Sequence, residues 1–265
     1  MSNGEYLRYV ALGDSQTEGM GDGDDLVGLR GFADRLAEHL AAANPGLLYA
    51  NLAVRGRVSA QVLDEQLEPA LALRPDLATV VAGVNDLLRP RFDAAETAGR
   101  LEEMFAALTA AGSHVVTVTF PDVGEIAPLA RPLSARVSDL NDHIRAAADR
   151  HGVTVAETGR PAVSTDPRLW SPDRLHASPL GHERIAAALA HALGLPGSSD
   201  AWTRPLPPLP PAPSGVRAAG AELRWAAAFL GPWLGRRLRG RSSGDGRTAK
   251  RPQLLPVTPY PVETR

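Results

Sequence analysis

Two stretches of this chain, far apart in sequence, carry residue types suited to acyl transfer. Gly13-Asp14-Ser15 sets a hydroxyl directly behind a glycine turn. Asp173 and His176 stand three residues apart within Trp170-Ser171-Pro172-Asp173-Arg174-Leu175-His176-Ala177-Ser178-Pro179. A serine hydroxyl is a weak nucleophile until a base takes its proton, and the base needs a third group to hold it. Residues three apart in a turn lie on one side. The Asp173 carboxylate can then accept the Nδ1–H of His176 and leave Nε2 facing the serine. Acyl transfer also needs donors for the oxyanion, and loss of one costs about 10²–10³ in rate. The backbone N–H of Ser15, the N–H of Gly56 and the side-chain amide of Asn85 are candidates. Each residue also has a plainer reading. Asp14-Ser15 suits a helix N-cap, Gly56 a turn, Asn85 a turn or cap, and His176 an ordinary loop.

The elements around these residues decide between the readings. Residues 7–12 form an apolar run broken only by Arg8, the pattern of a buried strand. Further strands are expected at 47–54, 77–82, 114–120 and 153–156, and helices at 58–73, 93–111, 133–150 and 181–193. A first helix is marked by Phe32, Leu36 and Leu40 and closed by Asn44-Pro45-Gly46. Alternation of strand and helix means right-handed crossovers and a parallel sheet covered on both faces. Ligands of such sheets bind outside the carboxyl ends of the strands. Ser15, Gly56, Asn85 and the Asp173–His176 loop all fall on that edge. Asp86 reads as a structural acceptor beside Asn85, and His182, on the last helix, as a surface residue rather than a second base. The loop Gly19-Met20-Gly21-Asp22-Gly23-Asp24-Asp25 lacks the ligand spacing and closing Glu of an EF-hand and reads as an active-site loop.

Gly13-Asp14-Ser15, Gly56, Gly83-Val84-Asn85-Asp86 and Asp173-Arg174-Leu175-His176, in that order, resemble the four blocks of the SGNH hydrolases, the GDSL-type esterases and lipases. The resemblance spans about residues 5–195. It implies a flavodoxin-like three-layer α/β/α sandwich around a central parallel sheet of about five strands. It further implies ester hydrolysis without metal or cofactor, with Ser15 as nucleophile, His176 as base, Asp173 as its partner, and Ser15, Gly56 and Asn85 as the oxyanion hole. Gln16 departs from the Leu or Ile that often follows the serine, and makes the pocket mouth more polar. Acyl transfer to a sugar or lipid by the same triad, and a non-catalytic flavodoxin-like binding module, are the competing functions.

The 265 residues suit one hydrolase domain, 1–195, a Pro-rich linker, 196–215, and a tail, 216–265. A net charge of −2 gives no sign of a nucleic-acid partner, and the absence of cysteine excludes disulfides and a thiolate nucleophile. The start, Met1-Ser2-Asn3-Gly4-Glu5, has no signal-peptide pattern, and no apolar run reaches the roughly 20 residues that span a bilayer, so a cytoplasmic location is expected. In the tail, Trp225, Phe229 and Trp233 recur every fourth residue ahead of Arg236, Arg237, Arg239 and Arg241, with Pro232 expected to kink or restart the helix. Such a helix can lie on an anionic membrane. Docking on the hydrolase body or another subunit is the favoured reading. The final stretch, carrying Pro252, Pro256, Pro259 and Pro261, is expected to be extended or disordered. The acyl substrate and oligomeric state stay open.

Overall fold

A computed structural model describes residues 6–209, 215–232, 235, 239 and 241–258. Trp233, Arg236, Arg237, Pro259 and Pro261, named above from the tail, lie outside the described residues. Six strands form the main sheet: β1 (Arg8–Gly13), β2 (Leu48–Asn51), β3 (Leu77–Val81), β4 (His114–Val118), β5 (Thr154–Ala156) and β6 (Arg251–Pro256). Their order is β5-β4-β3-β1-β2-β6. The first five are parallel, and β6 runs antiparallel along β2. The parallel part has the 2-1-3-4-5 order of flavodoxin-like sheets, whose crevice opens at the switch between β1 and β3. The sixth strand is the tail's contribution beyond the expected five.

The helices are α1 (Ser15–Glu18), α2 (Phe32–Ala43), α3 (Ser59–Ala72), α4 (Val84–Leu87), α5 (Ala94–Ala110), α6 (Val123–Ile126), α7 (Ser134–His151), α8 (Pro179–Ala192) and α9 (Gly215–Trp225). Strand side chains alternate between faces. Val10 and Leu12 of β1 pack with α3, α5 and α7, through Val62, Leu101, Phe105, Leu140 and Ile144. Tyr9 and Ala11 pack on the other face with α2 and α8, through Phe32, Leu36, Ala186 and Leu189. β1 is buried on both faces, which is why it reads as a continuous apolar run.

Element ends follow local chemistry. Asp93 caps α5 by accepting from Glu96 N at 2.8 Å. Ser178 caps α8, and Pro179 takes its first position, so the helix starts two residues before the expected Gly181. β2 ends at Asn51, short of the expected residue 54, because the Asn51 side chain takes over the backbone's partners. It accepts from Ala53 N at 3.0 Å and donates to Thr17 O at 2.8 Å. In the tail, Ala226–Leu230 form a π-helical turn with Gly231 N donating to Ala226 O. The widened turn precedes Pro232, whose missing N–H and ring would otherwise oppose a tighter helix. Arg251–Pro256 are extended as expected, but as a sheet strand rather than a free end. Among the described residues no helix is long and apolar enough to cross a membrane.

Candidate active site

The site is built at the carboxyl ends of β1 and β3. β1 closes on Gly13, whose φ is +156° and where a Cβ would stand 2.4 Å from Val81 O, so only glycine lets the two strand ends meet there. The Gln66 amide holds this residue twice, accepting from Gly13 N and donating to Gly13 O, both at 2.9 Å. Asp14 then caps α1 by accepting from Gln16 N at 3.2 Å, and Ser15 opens the helix. The cap reading of Asp14 and a chemical reading of Ser15 are therefore compatible. Ser15 is 8% exposed, buried at the carboxyl end of β1.

The second part is the loop between β5 and α8. His176 Nδ1 lies 2.6 Å from Asp173 Oδ2. The other carboxylate oxygen, Oδ1, accepts from Ser171 Oγ at 2.6 Å, Leu175 N at 2.9 Å and His176 N at 3.0 Å. Burial works against the Asp173 charge, but the hydrogen bond and charge of His176, with the bonds from Ser171 and the backbone, hold its carboxyl well below the ordinary range. Arg174, between the pair, has φ +58°, an uncommon conformation for a bulky side chain. The tail holds it there. Both Glu222 carboxylate oxygens lie 2.8 Å from Arg174 Nη1, and the guanidinium carbon stands 4.8 Å over the Trp225 ring.

Gln16 joins the two parts. Its Nε2 donates to Leu175 O at 2.8 Å, and its Oε1 accepts from Ala177 N at 3.2 Å. The residue after Ser15 thus grips the backbone on either side of His176. The sequence reading of Gln16 as a polar pocket mouth missed this; an amide with one donor and one acceptor to place is the only sequence signal it carries.

Asn85 stands at the end of β3 in α4. Its Nδ2 donates to Asp14 Oδ2 at 3.1 Å and to Arg57 O at 3.0 Å. Asp86 acts as the expected structural acceptor, taking Ser59 N and Ser59 Oγ, each at 2.8 Å, and so fixing the start of α3. Gly56, with φ +78°, turns the chain after β2. The turn is locked by Arg55, whose N and guanidinium reach Glu18 at 2.6–3.1 Å in a buried pair. Neither Glu18 nor Arg55 was singled out from sequence. From the tail, Ser242 Oγ would lie 2.2 Å from a Cβ at position 56, so the tail closes over this turn.

Burial raises the Asp14 carboxyl to about 7, opposed by its hydrogen bonds from Gln16 and Asn85 and by the charge of His176.

The profile of the GDSL-like lipase/acylhydrolase family matches residues 11–184. The chain belongs to the GDSL-like lipase/acylhydrolase family. Membership places it among the ester hydrolases. No curated protein sequence matches it. Among solved structures, this GDSL hydrolase resembles LAE5, an α/β hydrolase enzyme from the metagenome of Lake Arreo, Spain. The two are 22% identical with a TM-score of 0.59, over 71% of this chain and 95% of LAE5. It also resembles Axe2, an acetylxylan esterase from Geobacillus stearothermophilus, at 18% identity and a TM-score of 0.61, over 77% of this chain and 99% of that one. At these identities the likeness speaks for the fold.

Two further features complete the hydrolase site. His182 is not the expected surface residue but fully buried. Its Nδ1 accepts from Phe32 N at 3.1 Å and its Nε2 donates to Met20 O at 2.9 Å, tying α8 to α2 and to the loop after Ser15. Burial lowers its pKa to about 4, so it stands as a neutral strut. The acidic loop after α1 is spent on ion pairs: Asp22 with Arg35 at 2.6 Å, and Asp25 with Arg55 at 2.8 Å and with Arg247. Beside His176 opens a cavity of about 320 Å³. A smaller one, of about 60 Å³, lies behind Gln16 among Phe32, Val118, Trp170 and Trp202.

Proposed function

We infer that this family member hydrolyses carboxylic esters through Ser15, His176 and Asp173. The observation that carries the reading is the pair of hydrogen bonds between the Gln16 amide and the backbone flanking His176. It joins the Ser15 turn to an imidazole whose Nδ1 is already occupied by Asp173. With Nδ1–H given to the carboxylate, Nε2 is the free base. Ser15 Oγ attacks the ester carbonyl carbon as His176 Nε2 takes its proton. The tetrahedral oxyanion is met by the N–H groups of Ser15 and Gly56 and by Asn85, which turns one amide hydrogen from Asp14 or Arg57 O to the oxyanion. The intermediate collapses as His176 protonates the departing alkoxide. Water, deprotonated by His176, then attacks the acyl-enzyme, and the second tetrahedral intermediate collapses as His176 returns that proton to Ser15 Oγ and the acid leaves. Asp173 stays ionised throughout and steadies the imidazolium.

A sugar acetate of the kind named for Axe2 is the second reading. The apolar walls of the larger cavity favour an aliphatic acyl group over it. Hydrolysis of a p-nitrophenyl ester ladder from acetate to palmitate by wild type and Ser15→Ala tests the proposal. Turnover that falls to background in Ser15→Ala is expected. Wild-type rates in the variant would remove Ser15 from the mechanism.

A further inference from the structure

The cavity beside His176 is walled by two parts of the chain with different origins. Val84, Leu88, Leu129 and Leu133 come from the body, and Trp225 and Phe229 from the tail. The family match ends at residue 184, so the tail wall is an addition to the hydrolase core. The polar side chains of the lining, Asp173, Arg174 and His176, all come from the His176 loop, and the rest of the lining is aliphatic and aromatic. Leu129 and Phe229 leave apolar surface open at the mouth, 54% and 38% exposed. Contiguous apolar surface rimming a concavity marks a binding site for an apolar ligand.

The tail is fastened on both sides of this wall. Upstream, Glu222 and Trp225 hold Arg174 in the His176 loop. Downstream, Arg247 pairs with Asp25, Lys250 Nζ reaches Asp34 at 2.6 Å, and β6 adds to the sheet edge. The Arg174 charge is thereby already partnered, which leaves the cavity without an unengaged cation, among the described residues, to select an anionic or sugar-phosphate group.

We propose that this cavity is the acyl subsite, that it takes an aliphatic acyl chain longer than acetyl, and that Trp225 and Phe229 set the chain lengths accepted. The proposal rests on the esterase reading for its catalytic consequence and on the cavity alone for its binding consequence. Each buried methylene is worth about fourfold in binding. Six of them, even half engaged, raise kcat/KM by about 10²-fold from acetate to octanoate.

The test uses the full chain in two arms. In the first, kcat/KM is measured on p-nitrophenyl acetate, butyrate, octanoate and laurate for wild type, Phe229→Ala and Trp225→Ala/Phe229→Ala. The octanoate-to-acetate ratio is expected to fall about tenfold or more in the double variant. Ala130→Phe, which fills the cavity from the body side and leaves the tail anchors alone, is expected to move the optimum to shorter chains. This variant, and the singly substituted Phe229→Ala, keep the question answerable if the double variant does not fold. In the second arm, calorimetry follows sodium octanoate binding to Ser15→Ala, with and without Phe229→Ala, and sodium acetate as control. Binding of octanoate that weakens with the substitution is expected. If esters are hydrolysed but neither the length profile nor octanoate binding responds to Phe229, Trp225 or Ala130, the acyl subsite is overturned and the esterase reading stands. If no ester is turned over while octanoate binding depends on Phe229, the subsite stands and the esterase reading falls.

Discussion

Replacing Asp173 with Asn separates geometry from charge at the proposed histidine base. The substitution is isosteric, but the surroundings dictate which way the amide faces. Oδ1 receives two fixed backbone donors, Leu175 N–H and His176 N–H, together with the adjustable Ser171 hydroxyl. In Asp173→Asn the side-chain carbonyl oxygen must take that position. The new NH₂ group then faces His176 Nδ1, where a carboxylate oxygen stands in the wild type. The imidazole is forced to accept at Nδ1 and carry its proton on Nε2, so it no longer takes a proton from Ser15. Escape requires flipping the amide and leaving two buried N–H donors against an NH₂. At about 1–3 kcal/mol each, the flipped and active form is held to roughly 1 part in 30 to 1 part in 10⁴. The comparable change in serine proteases costs about 10⁴ in kcat. A loss of about 10³-fold in kcat on p-nitrophenyl butyrate is expected, with KM little changed and the circular dichroism spectrum preserved. Asp173→Ala removes the acceptor without imposing the wrong tautomer, and is expected to cost less than the Asn variant. ¹⁵N spectra of His176 should show the proton on Nε2 in Asp173→Asn. A loss under about tenfold, or an Ala variant slower than the Asn variant, would refute the tautomer argument.

Three other expectations follow from named contacts. Gln16→Leu strips the partners from Leu175 O and Ala177 N, and is expected to lower kcat about tenfold or more and stability by about 1–3 kcal/mol; unchanged kcat would show that the His176 loop needs no tie. Asp14 has a raised carboxyl, about 7 against an ordinary 3.8, so the folded state holds the proton more tightly than the unfolded one. Its contribution is complete below the ordinary pKa and is lost as pH rises through 7, a difference of about 4 kcal/mol at 1.36 kcal/mol per unit. Urea unfolding of wild type and Asp14→Asn should therefore diverge between pH 4 and 7, with the variant relatively more stable at the upper end; a gap independent of pH counts against burial of a titrating Asp14. His182 has the opposite sense, its pKa lowered to about 4 from 6.5, so wild-type stability is lost as pH falls through this window, by about 3 kcal/mol. His182→Ala should be destabilised by about 2–4 kcal/mol at pH 7 through the orphaned Phe32 N–H and Met20 C=O, with a flatter acid limb; equal acid limbs would disprove the strut role.

Much of the architecture was legible because it is written in local patterns. A strand buried on both faces must be apolar throughout, so β1 and β3 announced themselves. Helices packed on a sheet must repeat their apolar residues at helical spacing, and α2 and α5 do. Asp173 and His176 were readable as a pair because three residues of a turn suffice to bring a carboxylate onto an imidazole. Ser15 was readable as a candidate because it follows an apolar run and a glycine. Strand ends were read less well, since Asn51 ends β2 by contacts to Thr17 and Ala53 that no strand pattern carries.

What depended on the tertiary structure shares one physical cause: the partner lies far along the chain. Gln16 bonds to Leu175 and Ala177 from the other end of the hydrolase body, and a polar residue after a candidate nucleophile reads the same with or without that contact. His182 sits on a helix with mixed neighbours, and only the approach of α2 and the Met20 loop buries it and satisfies both nitrogens. The tail is the largest case. Its aromatic and basic residues are equally suited in sequence to a membrane, a second subunit or the body. Glu222 meeting Arg174, Trp225 and Phe229 closing a cavity, and β6 pairing with β2 assign the described part of it to the body. Sequence alone determined the alternating strands and helices of the hydrolase body and the chemical groups it carries, but not the sixth strand, which exists only by pairing with β2. The folded chain decided which groups face each other, because burial and hydrogen bonding are properties of the whole packed surface and not of any stretch of it.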